Sequence, residues 1–290
     1  MKLTSMSIRP LRRLGYSWLL SALLLLVQAG AGHTQTIALT FDDGFDVASS
    51  GPRAVADNTA MLAALKRHRA RAMLFPSGMA LANPENLALV RAWGEAGHAV
   101  GNHTYSHGYL SKSDTAHYFA DVERAQALLQ ALPGWCPRLR FPYLDEGGSP
   151  AQHDQAMRWL AQHGYGVASA TISMPDWEFA QRYLDILRTG SQAEAAAFRQ
   201  DYVERILAEA QAQETHWVQE LKRSPAHVLL LHANHLNAAI LPELLHGLES
   251  RGWTIIDPAS AFQDPIYQRG YTGESKDEKK LLALPVPSCH

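Results

Sequence analysis

The sequence predicts an α/β fold in which βα units build a parallel sheet or barrel. Three observations carry this expectation. Strand-like and helix-like segments alternate along the chain, as crossover units require. Short apolar runs such as 36–41 and 228–231 read as buried strands bounded by turn residues. The 290 residues contain no internal repeat or low-complexity block, and α/β barrels reach this length as one large domain.

The first strand is Thr36–Phe41. It should stop at Asp42-Asp43-Gly44, because Asp and Gly are poor strand formers. A helix follows near 59–68. Residues 71–75 form a second strand, closed by Pro76-Ser77-Gly78. The segment 84–96 is a helix with Pro at its start, where Pro is tolerated. Gly97-His98-Ala99-Val100 reads as a turn feeding a short strand. Residues 113–132 are a long helix, with Phe119, Val122, Ala125, Leu129 and Leu132 at helical spacing. A strand at 138–141 precedes a helix at 150–163 stopped by Gly164. Residues 166–172 are a strand of small residues. The stretch 179–221 exceeds one crossover helix, and its Ala, Glu and Gln favour helix. It reads as a structural hairpin outside the barrel, broken near Thr189-Gly190. A buried strand at 228–231, a helix at 241–248 and a last strand at 253–256 follow. The tail from Gln263 is polar and Pro-bearing.

Residues 1–31 read as a secretory signal peptide. Lys2, Arg9, Arg12 and Arg13 precede an apolar stretch, and Ala29-Gly30-Ala31 supplies a small-residue cleavage pattern. The stretch is short for a membrane span, an uncleaved anchor being the alternative. The expected location is periplasmic or secreted. Cleavage would remove four basic residues and no acidic one, taking the formal charge from −2 to −6. That balance argues against nucleic acid as a partner. The two cysteines, Cys136 and Cys289, could pair in an oxidising compartment. Their spacing leaves free thiols equally open, and oligomeric state is not legible.

Two motifs carry chemistry. Thr40-Phe41-Asp42-Asp43-Gly44 places adjacent carboxylates at a strand tip, where barrel enzymes keep their catalytic groups. Adjacent side chains diverge, so one carboxylate can hold a metal while the other acts as a base. An acidic Asp-Gly turn is the plain alternative. His103 and His107 form an H-x-x-x-H pair, and neutral imidazole suits zinc and similar divalent ions. One carboxylate, two imidazoles and open positions match a catalytic metal site. Among 14 histidines, a chance pair is the plain reading. Polar groups also close later strands: Arg140 to Tyr143, Asp176-Trp177, and Leu230 to His232.

On these motifs the chain resembles the polysaccharide deacetylases, carbohydrate esterase family 4. The matching elements are T-F-D-D-G at 40–44, H-x-x-x-H at 103–107, R-x-P-Y at 140–143, D-W at 176–177 and L-x-H at 230–232. The resemblance implies a distorted, incomplete (β/α) barrel and a catalytic domain over 32–290. It implies a metal triad of Asp43, His103 and His107, with Zn2+ favoured and Co2+, Ni2+ or Mn2+ as alternatives. It implies Asp42 as base, Arg140 as its partner, and the Tyr143 backbone N–H as oxyanion donor. His232 would be the general acid oriented by Asp176, and Trp177 and Leu230 would wall the acetyl methyl. The implied activity is removal of N-acetyl groups from N-acetylglucosamine units of a glycan such as peptidoglycan or a chitin-like polymer. An O-acetyl esterase using the same site and a non-catalytic carbohydrate-binding domain are the alternatives. Three departures bear on the cleft and on the support of His232. Ser173 and Ala233 stand where the family carries Asp, and Leu144-Asp145-Glu146 replaces a Gly. Asp145, Glu146, Asn234, His235 and Asn237 are candidates to line a substrate groove, although a solvated loop is the favoured reading for the first two.

Overall fold

A computed structural model describes residues 35–267 together with 287 and 289. The signal-peptide expectation at 1–31 lies outside the described residues. The elements run β1 (Thr36–Asp43), α1 (Val47–Ser50), α2 (Pro52–Arg67), β2 (Ala72–Pro76), α3 (Pro84–Glu95), β3 (Ala99–Asn102), α4 (Thr115–Leu129) and β4 (Trp135–Leu139). After them come α5 (Pro150–Gln162), β5 (Gly166–Val167), β6 (Ile172–Ser173), α6 (Asp176–Thr189), α7 (Gln192–Leu221), β7 (Ala226–His232), α8 (His235–Ser250), β8 (Thr254–Ile255) and α9 (Pro258–Ala261).

All strand pairs are parallel, in the order β5-β4-β3-β2-β1-β7-β6. β8 pairs only with the start of β1. The sheet is therefore a curled, incomplete barrel, open between β5 and β6. The opening explains one departure from expectation. The segment 166–172 is not one strand but two, because its first half pairs with β4 and its second with β7 at the other edge. A second departure concerns β1, which continues through both carboxylates. Pairing of Asp42 with Phe75 and His232, and of Asp43 with Pro76, overrides the poor strand propensity of Asp. β1 then ends where Asp43 and Gly44 turn left-handed, at φ 71° and 82°.

β4 also sits earlier than expected and ends at Leu139. Arg140 lies one residue beyond it, yet its N–H still bonds the Asn102 carbonyl at 2.9 Å. The long helical stretch is a hairpin of α6 and α7. Ser191 starts α7 with a capping box to Glu194.

The period-two alternation of each strand separates two environments. Ile37, Leu39, Phe41, Leu229 and Leu231 pack outward with residues of α2, α7 and α8. Ala38, Met73, Phe75, Cys136 and Val228 point inward and meet Phe262 and Tyr267 from the tail. Cys136 and Cys289 are joined as a disulfide. This inward face continues through Thr40 and Asp42 on β1 and Leu230 and His232 on β7. The barrel interior is thus apolar near the strand starts and polar at their ends.

Gly101 on β3 sits at the crossing of these layers, immediately before the histidine motif. A Cβ there would lie 2.3 Å from the Phe75 ring. Gly101→Ala is therefore expected to lower stability by about 1–3 kcal/mol through overpacking, measured as a shift in the urea unfolding midpoint without a change in slope.

Candidate active site

Asp42, Asp43, His103, His107, Leu230 and His232 converge at the strand ends and line one cleft with Tyr143 and Trp177. The cleft encloses about 480 Å³, within the range of small-ligand sites. Its remaining lining residues are Tyr109, Leu144 and Ser173. Arg140 and Asp176, both buried, stand behind this wall and reach it through Asp42 and His232.

The backbone around the cleft is unusual. Among the described residues, seven non-glycine positions have positive φ, and five of them are Asp43, Thr104, His107, Tyr143 and Leu144. Such conformations cluster at functional sites, where surrounding bonds hold them. The histidine loop shows how. Asn102 Oδ1 accepts from the Thr104 N–H at 2.8 Å, and Thr104 Oγ1 from the His107 N–H at 3.0 Å. Asp121 Oδ2 on α4 accepts from the N–H groups of Tyr105 and Ser106 and from the Ser106 hydroxyl.

One ligand atom each from Asp43, His103 and His107 lies within 4.8 Å of the others. Asp43 Oδ1 is 3.7 Å from His103 Nε2 and 3.3 Å from His107 Nε2. The protonation of His103 tests whether this trio suits a cation. Its Nδ1 lies 2.7 Å from the Arg140 carbonyl oxygen, which can only accept, so Nδ1 carries the hydrogen. Burial pushes the ring pKa down to about 3 against the pull of Asp43, so the ring is neutral. Its Nε2 therefore directs a lone pair at the oxygens of Asp43 and of Asp42, the latter 3.9 Å away. Acceptors facing acceptors suit a shared cation, and the oxygen–nitrogen–nitrogen donor set fits zinc-like divalent ions. Asp43 is partly exposed on the cleft side, which leaves room for further ligands.

Asp42 is buried with its Oδ1 3.7 Å from Arg140 Nε. The guanidinium is held by Thr40, whose Oγ1 accepts from Arg140 Nη2 at 2.9 Å and donates to the Leu229 carbonyl at 2.8 Å. Alone, Arg140 beside Asp42 would hold its pKa low. Burial outweighs it: desolvation raises Asp42 above its ordinary value, with Arg140 and His232 pulling back. A raised pKa makes Asp42 a better proton acceptor than an ordinary carboxylate.

His232 faces Asp42 across the strand pair. Its Nδ1 is 2.6 Å and its backbone N–H 2.7 Å from the two oxygens of Asp176. Asp176 opens α6, where the helix dipole favours an anion, and also accepts from the Asn237 side chain. Burial disfavours the His232 charge, but the Asp176 bond and charge, with Asp42 and Asp43, lift its pKa to about 9. Asn237 was expected in a substrate groove. It is buried instead and ties Asp176 to the His232 carbonyl, strengthening the support that Ala233 left open. Asn234 caps α8. With His235, which bonds Asp57, it lines a neighbouring cleft that shares Asp43, Trp177 and His232. Asp145 holds Ser111 and Gly147 N–H groups, and Glu146 accepts from Ser169, so both tie their loop to neighbouring segments.

Tyr143 is the second residue of the 3-10 turn Pro142–Leu144, whose early N–H groups have no partner within the turn. Its ring is exposed on the cleft edge, as is Trp177, whose indole meets His232 edge-on at 5.7 Å.

The polysaccharide deacetylase family model matches residues 29–168. The chain is 28% identical over 152 residues to a peptidoglycan-N-acetylglucosamine deacetylase of Bacillus cereus, covering 52% of this chain and 49% of that one. It is 37% identical over 113 residues to a chitooligosaccharide deacetylase of a Bradyrhizobium species, covering 38% and 47%. The chain thus spans about half the length of these relatives. A crystal structure of a peptidoglycan N-acetylglucosamine deacetylase superposes with a TM-score of 0.55 at 21% identity, covering 79% of this chain and 88% of that one. That likeness shows the fold.

The Asp176 tie has a pH signature. The folded-state pKa of His232 lies above its ordinary 6.5, so the tie's stabilisation is full below about 6.5 and is lost as pH rises through about 9. In the metal-free protein, histidine NMR should show His232 titrating near 9. Asp176→Asn removes the bond and charge that raise it most and should lower that midpoint; an unchanged midpoint would contradict this assignment.

Proposed function

We propose, for a chain whose residues 29–168 match the polysaccharide deacetylase family model, that it is a metal-dependent hydrolase removing N-acetyl groups from N-acetylglucosamine units of a polysaccharide, peptidoglycan or chitin-like. The observation that carries this reading is the pairing of Asp42 and His232 across one cleft beside the Asp43, His103 and His107 trio. The relatives' names, peptidoglycan-N-acetylglucosamine, chitin and chitooligosaccharide deacetylase, support the substrate class.

A divalent cation held by Asp43, His103 and His107, with zinc favoured by the two imidazoles, would polarise the amide carbonyl and acidify water. Asp42 takes a proton from the attacking water. The Tyr143 N–H faces the developing oxyanion. His232, kept protonated by Asp176, gives its proton to the leaving nitrogen. Trp177 and Leu230 enclose the methyl. Amines leave poorly without that proton and alcohols leave more easily. A buried carboxylate devoted to charging His232 therefore favours amide over ester substrates. Residues 1–31 serve as a leader and 32–290 as the catalytic domain. A location outside the cytoplasm follows from that leader and suits the Cys136–Cys289 disulfide. Among the described residues, no helix is long and apolar enough to cross a membrane.

Acetate release from N- and O-acetylated glycans, with native, chelator-treated and zinc-restored protein, tests the reading. Chelation should abolish release and zinc should restore it. Asp43→Ala should cost about 10³-fold, the rate equivalent of several kcal/mol. Zinc and glycan binding with no acetate released from any glycan would instead establish a binding domain. His232→Ala should cost far more on N-acetyl than on O-acetyl substrates, and retention of most N-acetyl activity would remove His232 from the reaction.

A further inference from the structure

The roles given so far to Tyr143 use only its main chain, yet its side chain is built into the site. Its hydroxyl lies 3.2 Å from His107 Nδ1, and the two rings meet edge to face with centroids 4.8 Å apart. The Tyr143 ring is itself fixed. It stacks on Tyr109 at 3.8 Å with 5° between planes, and the Lys112 ammonium lies 3.8 Å over the far partner of that stack. Left-handed φ values of 59° and 54° at Tyr143 and Leu144 aim the ring back toward His107.

The two imidazoles of the trio therefore have different partners. His103 Nδ1 faces a carbonyl, which accepts only and permits one tautomer. His107 Nδ1 faces a hydroxyl, which can accept or donate. With Nε2 only 3.3 Å from Asp43 Oδ1, the metal-free ring can place its proton on Nε2 and accept a hydrogen bond from the hydroxyl at Nδ1. When Nε2 faces a cation, the proton must sit on Nδ1 and the hydroxyl must accept it. We propose that the Tyr143 hydroxyl is the positioning partner of His107, reversing its hydrogen bond as a divalent cation enters so that Nε2 is free to ligate. One proton moves from Nε2 to Nδ1 in this exchange, and the hydroxyl rotates without gaining or losing charge. Partners of this kind orient ligand rings, and their loss typically weakens metal affinity about 10–100-fold.

This inference rests on the reading of Asp43, His103 and His107 as a metal site. Tyr143→Phe keeps the ring, its stack and the main-chain N–H and removes only the hydroxyl. The decisive measurement is the zinc dissociation constant of the whole protein, by competition with a chromophoric chelator. A rise of about tenfold or more in Tyr143→Phe is expected, and a constant within about twofold of the parent would overturn the proposal, being smaller than any such partner's effect. Should the parent protein bind no zinc, the metal reading falls, and ¹⁵N NMR of the neutral His107 ring still decides this tie. A displaced Nδ1 resonance in Tyr143→Phe supports it, and an unmoved one overturns it.

Discussion

Asp42 and His232 stand opposite one another because β1 and β7 run parallel and in register from Thr36 and Ala226 upward. That register places a carboxylate and an imidazole on the same inward face at the last paired position. A slip of one residue in either strand would turn its member of the pair outward into the apolar layer beneath the helices. Everything else in the site attaches to this pair. Arg140 reaches Asp42 from just beyond β4, Asp176 reaches His232 from α6, and Asp43 swings out only because β1 ends one residue later.

Charges placed this deep are costly to bury, and the protein manages the cost by giving each a dedicated neighbour. Asp176 collects donors from a backbone, an imidazole and an amide. Asp42 is less well served, since its Oδ1 and two Arg140 nitrogens lack a hydrogen-bond partner within the protein. The contrast separates a carboxylate ringed by donors from one whose proton affinity burial raises. An acid and a base with opposed tasks need that asymmetry.

The alternation of strands and helices was legible in the sequence, as were the ten candidate positions that the fold gathers at or behind one cleft, because strand tips and short motifs are local signals. The limits of β1 and the division of 166–172 were not, because both depend on which strand lies alongside. Tyr109 carries no mark until Tyr143 stacks on it from 34 residues away. Asp121 lies on a helix whose apolar spacing says nothing of the loop it fastens. The role of Asn237 was misread for a related reason. It sits in the first turn of α8, where only the fold reveals that the turn faces Asp176 rather than solvent.

The seam between β5 and β6 has a consequence for how copies of this chain treat one another. An unclosed parallel sheet normally offers two bare rows of amides and carbonyls to any passing strand. Here each bordering strand is only two residues long. Segments so brief template little pairing, so the barrel can stay open without inviting fibrous self-association.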